Sequence, residues 1–211
     1  MFDNNIYYYP YNPDNNPLLN CLYDLEPIDP PHKKYKSLLD ACPAMEVHRE
    51  HTYLLKSPMD FTLTYENNKW TSSDNVKDII IPSNKPYIQL QFYYLFWSKR
   101  KTNVKLWQHD PPLYTVNKVT TWYTSTGMIP IGEYTRNTSV GFILKYNQNI
   151  IEIKKGEVIT SFTLVGDSKI ELIKEVPTHK VISRNIQNYT RKQFCPYTFS
   201  KKLFSRWFEK C

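Results

Sequence analysis

Residues 150–165 read I-I-E-I-K-K-G-E-V-I-T-S-F-T-L-V. Ile151 and Ile153 alternate with Glu152. A Lys-Lys-Gly-Glu break follows, and then a second apolar run from Val158 to Val165. Period-two alternation is the pattern of a strand whose two faces meet different surroundings, and glycine in a short polar break supplies a turn. The segment predicts a β-hairpin.

The same pattern recurs in diluted form. Strands are expected over 51–56, 59–65, 79–81, 87–96, 103–107, 119–124, 139–146 and 169–175. Asn67-Asn68 in Y-E-N-N-K-W (65–70) marks a turn between two strands, because Asn tolerates positive φ. In Y-I-Q-L-Q-F-Y-Y-L-F (87–96), Ile88, Leu90 and Phe92 alternate with Gln89 and Gln91; the run then becomes apolar on both faces, as in a strand covered from both sides. Strands separated by turn signals, with no long helices between them, predict an all-β-dominated domain: a β-sandwich, a jelly-roll-like fold or a distorted barrel. Seventeen Tyr and ten Phe suit such pleated, half-buried surfaces.

Around this body (residues 41–176) the ends differ in composition. Residues 1–40 are rich in Pro, Tyr, Asn and Asp, with P-Y-N-P-D-N-N-P at 10–17. Proline at that density blocks helices and central strands. An extended arm is expected, with Tyr7, Tyr8, Tyr9 and Tyr11 contacting either the body or a partner. In the tail (177–211), Phe199, Leu203, Phe204, Trp207 and Phe208 fall at helical spacing. Lys201, Lys202 and Arg206 lie elsewhere on the wheel, so an amphipathic C-terminal helix is predicted. Phe199, Leu203, Trp207 and Phe208 are its candidate partner-binding residues.

The net charge of +7 is compatible with a nucleic-acid, membrane-surface or acidic-protein partner. Four cysteines without close spacing fit a reducing compartment. The N-terminus has no basic-then-apolar leader, and no apolar run reaches membrane-spanning length. A chain without a membrane span, working inside a cell, is the expectation.

Catalytic signatures are sparse. With five Gly there is no phosphate loop, and no G-x-S-x-G elbow occurs. In V-H-R-E-H (47–51), His48, Glu50 and His51 are candidate metal ligands. Histidines three apart share a face on a helix but point oppositely in a strand. His109-Asp110 precedes Pro111-Pro112 and reads as a structural turn. The pattern calls for no cofactor. Aromatic and basic residues mingle at 93–101, where Tyr93, Tyr94, Trp97, Lys99, Arg100 and Lys101 could combine base stacking with phosphate neutralisation.

Several segments also appear in a suggestive order: A-C-P-A-M (41–45), T-Y-L-L-K-S-P-M-D-F (52–61), H-D-P-P-L-Y (109–114), G-M-I-P-I-G-E-Y-T-R (127–136) and I-E-I-K-K-G-E-V-I (151–159). With Cys195-Pro196-Tyr197 ahead of the final basic helix, they resemble a group of uncharacterised proteins of similar length in tailed phages, notably marine ones. That resemblance implies a viral β-rich protein in the host cytoplasm or the virion, and it carries no catalytic residues. A second likeness is to the deoxyuridine triphosphatase fold. There Pro130 stands where the pattern wants a catalytic Asp, and the Gly-rich terminal motif is missing. Both departures argue against that chemistry.

The leading expectation is a non-enzymatic phage protein acting through protein–protein contacts, as a virion or assembly component, with other viral proteins or a second copy as partner. The alternatives are a metal-dependent or nucleotide-handling enzyme whose site assembles only in three dimensions, and a single-stranded nucleic-acid binder.

Overall fold

The computed structural model describes residues 5–11, 22–27, 51–81, 83–111, 120–131, 135–166 and 170–194. In chain order the strands are β1 (Ile6–Pro10), β2 (Glu26–Pro27), β3 (Thr52–Lys56), β4 (Phe61–Glu66), β5 (Lys69–Ser72), β6 (Ile80–Ile81) and β7 (Tyr87–Ser98). There follow β8 (Lys105–His109), β9 (Trp122–Thr124), β10 (Gly127–Ile129), β11 (Arg136–Leu144), β12 (Ile150–Ile153), β13 (Val158–Val165) and β14 (Leu172–Lys174). Helix α1 (His179–Phe194) comes after them.

Sheet A has the order β14-β1-β7-β11-β9, with β6 also paired to β7. Sheet B runs β10-β8-β13-β3-β2, and sheet C runs β12-β4-β5. Inward side chains of all three meet in one core. Phe92, Phe96 and Phe142 come from sheet A, Leu55, Leu106 and Phe162 from sheet B, and Phe61, Leu63 and Ile151 from sheet C. Edge-on ring contacts, Phe96–Phe162 at 5.5 Å and Phe61–Phe142 at 6.3 Å, tie sheet A to each of the others. The architecture is a β-sandwich in which sheet A forms one layer against sheets B and C, as the alternation predicts.

Two local expectations are met in detail. Asn67 and Asn68 both have positive φ (50° and 59°), which gives β4–β5 the tight hairpin expected of Asn-Asn. Strand β7 is covered on both faces in its second half. Tyr94 and Phe96 point into the main core, whereas Leu95 and Trp97 join Tyr7 in a second cluster on the outer face, with Val181 of α1 packed against it.

The stretch 150–165 is not a hairpin. Its first strand, β12, pairs with β4 in sheet C; its second, β13, pairs with β3 and β8 in sheet B. Between them the turn at 154–157 steps from one sheet to the other. Its neighbour 57–60 does the same between β3 and β4, and the two turns are bonded together. Ser57 N–H donates to Glu157 O and Gly156 N–H to Ser57 O, both at 2.8 Å, and Lys155 N–H donates to Asp60 Oδ1 at 2.6 Å. One two-stranded ribbon thus bends through a shared corner and serves both sheets, a known way for packed sheets to turn.

The N-terminal tyrosines contact the body, the first of the two alternatives, and they do so from within a sheet. β1 is an interior strand of sheet A, parallel to β14 and antiparallel to β7, with Pro10 at its end. The helix at the C-terminal side is His179–Phe194, whose Val181 packs on the outer-face cluster. Phe199, Leu203, Trp207 and Phe208 lie outside the described residues.

Candidate functional site

The outer face of sheet A divides into two halves. The register of β11 on β7 shifts between Asn137 and Ser139, where the partners jump from Leu95 to Gln91. On one side of this irregularity the outward positions of β7 are Leu95 and Trp97, lying under α1. On the other they are Tyr87, Gln89 and Gln91, all partly exposed. Inward neighbours Ile88, Leu90 and Phe92 are buried, so alternation alone orients this set.

β11 and β9 extend the open half. Ile143 pairs with Tyr87 on one side and with Tyr123 on the other, which makes a row Tyr87–Ile143–Tyr123 across three strands. Tyr123 is 52% exposed and Ile143 39%. The next row holds Ile81, Gln89 and Gly141. Gly141 is small for a reason: a Cβ there would stand 2.3 Å from Ser125 Oγ and 2.8 Å from Tyr87 Cε2. The Tyr87 ring therefore lies across β11 at Gly141, and the Gln89 amide bonds its hydroxyl.

At the end of the row the Lys145 ammonium sits 4.7 Å from the Tyr123 ring centroid and 3.0 Å from Thr120 Oγ1. Such a cation over a ring face is favourable and fixes both groups. Lys85, two residues before Tyr87, is exposed. Among the described residues, no carboxylate occupies an outward position of β6, β7, β9 or β11.

The free edge of β9 is blocked. Tyr123 and its odd-numbered neighbours bond towards β11, as seen in Ser125 N–H to Gly141 O (2.7 Å) and Lys145 N–H to Thr121 O (2.9 Å). The groups pointing the other way are engaged by side chains. Thr124 N–H donates to Asp110 Oδ1 at 2.6 Å, and Thr120 Oγ1 donates to Trp122 O at 2.9 Å. An edge capped in this way does not readily accept another strand, so contacts on this side go through the face.

The residues singled out from sequence are distributed otherwise. Tyr94 and Trp97 are buried, so neither ring can stack on a base. The Tyr94 hydroxyl donates to Tyr23 O, and burial pushes its phenol far above the ordinary value. Of Tyr93 only the strand position is described. The Lys99 ammonium bonds Glu175 at 2.7 Å, which raises its pKa, and lies 4.1 Å from the Tyr7 ring centroid. Arg100 and Lys101 are exposed. Tyr7 stacks on Trp97 at 5.9 Å, Tyr8 is buried in the main core, and Tyr9 and Tyr11 pack beside the Trp97 cluster. These tyrosines bind the chain to itself.

Of the metal candidates, His48 and Glu50 lie outside the described residues. His51 is half-buried and its backbone oxygen accepts a bond from Leu164 N–H. Among the described residues no three His, Cys, Asp or Glu side chains gather as a metal group. His109 is more than the turn residue it resembles in sequence. Its ring stacks near Trp107 at 4.4 Å, Nδ1 lies 2.7 Å from Asp110 O, and Nε2 lies 2.8 Å from Thr163 Oγ1, which is 2.7 Å from Thr52 Oγ1. The carbonyl requires Nδ1 to donate, so in the neutral ring Nε2 accepts the Thr163 hydroxyl proton. His109, Thr163 and Thr52 are all buried, and this network satisfies interior polar groups.

Comparison with protein-family models and with curated proteins gives no match. Among the described residues no helix is long and apolar enough to cross a membrane.

Proposed function

We propose that this chain is a non-enzymatic binding module of a tailed phage, and that it works through the open half of the outer face of sheet A. The observation that carries this reading is the row Tyr87–Ile143–Tyr123 across three paired strands, in which Ile143 and Tyr123 are exposed and Tyr87 is partly so. Exposed apolar residues scattered singly are ordinary; a contiguous set with an aromatic at each end is a contact surface. The motif resemblance supports the phage setting. The burial of Tyr7 and Tyr8 moves the contact role from the N-terminal segment to this face.

The test is genetic. A phage carrying Tyr123→Ser with Ile143→Ser is expected to lose plaque formation while the purified double variant keeps its circular dichroism spectrum and cooperative melting. Normal plaques from such a phage would remove the reading. Mass spectrometry of purified virions then separates a virion component, present at stoichiometric level, from an assembly or infection-stage factor.

A further inference from the structure

The geometry points to single-stranded nucleic acid as the partner of this face, an inference that rests on the surface reading above. Three features converge. Tyr87 and Tyr123 stand on β7 and β9 with β11 between them, which sets their backbones roughly 10 Å from each other on a flat sheet. Aromatic side chains on a sheet are a recurring means of stacking unpaired bases, and these two flank the exposed Ile143. Lys145 is held at the Tyr123 ring, and the exposed Lys85 lies two residues before the start of β7; both are cations open to a phosphate backbone. The outward positions carry no carboxylate among the described residues, and the chain as a whole is +7, so a polyanion meets no opposing charge on the platform.

With one N–H of Gln89 given to the Tyr87 hydroxyl, its amide oxygen and second N–H remain as hydrogen-bonding capacity beside the rings. The capped β9 edge disfavours a peptide that would add as a strand. A duplex hides its base faces and would leave the two tyrosines without a stacking partner, so single strands are preferred. RNA and DNA share the chemistry invoked here.

Fluorescence anisotropy with labelled single-stranded RNA, single-stranded DNA and duplex DNA of equal length tests this on the full chain across a salt series. At least one single strand is expected to bind more tightly than duplex, with affinity falling as salt rises; the two single-stranded arms show which sugar is favoured. Tyr123→Ala should weaken binding by about 10-fold, the loss of one stacked base. Tyr123→Phe should retain it. Lys145→Ala should reduce the log–log salt slope by about 0.7, the value for one single-strand phosphate contact. Lys180→Ala, on the exposed side of α1, should change neither.

No binding of either single strand at low salt would overturn the proposal, as would tighter binding of duplex or an unchanged affinity for Tyr123→Ala. If no oligonucleotide binds but the Tyr123→Ser, Ile143→Ser phage still fails, nucleic acid is excluded and the contact surface stands. If the phage is also normal, both readings fall.

Discussion

Gly141 shapes the outer face of sheet A more than any bulky residue does. Its missing side chain is the space into which the Tyr87 ring and the Ser125 hydroxyl fit. Gly141→Ala should therefore displace Tyr87 and the Ser125 hydroxyl and cost about 1 kcal/mol, since both obstructing groups are side-chain atoms that must shift. A thermal melt and the anisotropy assay together check this. The buried phenols make a separate prediction. Burial raises Tyr94 and Tyr53 above the ordinary 10.0, and burial with the nearby Asp24 charge does the same for Tyr8. The folded state thus favours the protonated phenol. Stability is fully present below pH 10 and falls as pH rises past it. Absorbance titration should show Tyr94 ionising only with unfolding, in step with the loss of circular dichroism, and Tyr8 and Tyr53 ionising above the ordinary phenol range. Alternation in the sequence makes Gln89 and Gln91 legible as an outward pair, and leaves Tyr94 and Trp97 ambiguous: an apolar run covered on both faces has the same composition as an exposed aromatic strip.

Turn chemistry separates hairpins from corners in this fold. Asn67 and Asn68 both adopt positive φ, the geometry whose twist matches paired strands, and β4–β5 is a hairpin. At 154–157, closed by Glu157 N–H to Lys154 O, only Gly156 is positive (φ 79°). At 145–148, closed by Gln148 N–H to Lys145 O, only Asn147 is positive (φ 58°). Turns of that kind splay the strands they join, and both lead the chain into a different sheet. The difference is present in the sequence as Asn-Asn against Lys-Gly and Tyr-Asn. It does not show in the apolar alternation, which is identical whether two strands pair with each other or with different neighbours. Gly156→Ala meets open space, so its cost is backbone strain alone, about 1–2 kcal/mol by denaturant unfolding. Asp60→Ala removes the acceptor of Lys155 N–H and should cost about 1 kcal/mol. Because both act at one corner, the double variant should depart from additivity.

Across the whole molecule, β1 holds sheet A together between β14 and β7, and the segment 22–27 is fastened on by buried phenols and by the ion pairs Lys174–Asp24 and Lys56–Glu26. Removing residues 1–11 would therefore take out an interior strand together with Ile6, Tyr7 and Tyr8 of the two apolar clusters. The expected outcome is a chain without a cooperative melting transition; a true appendage could be cut away with little change. Composition hides this, because strand partners so far apart in sequence leave no local trace. The sandwich class is legible from the number and spacing of the strands, whereas the order of strands within each sheet is not.

The shared corner also bears on how the chain reaches its native state. Asp60 meets Lys155 across 95 positions of sequence, and β3 and β4 both wait for partners that far downstream. Contacts of such separation slow folding, because a long loop must close before they form. During synthesis the β4–β5 hairpin can form early, while the corner cannot close until residue 157 has emerged. Ribosome-bound chains stopped before that point should remain protease-sensitive at 51–66, and chains extended past β13 should become resistant there.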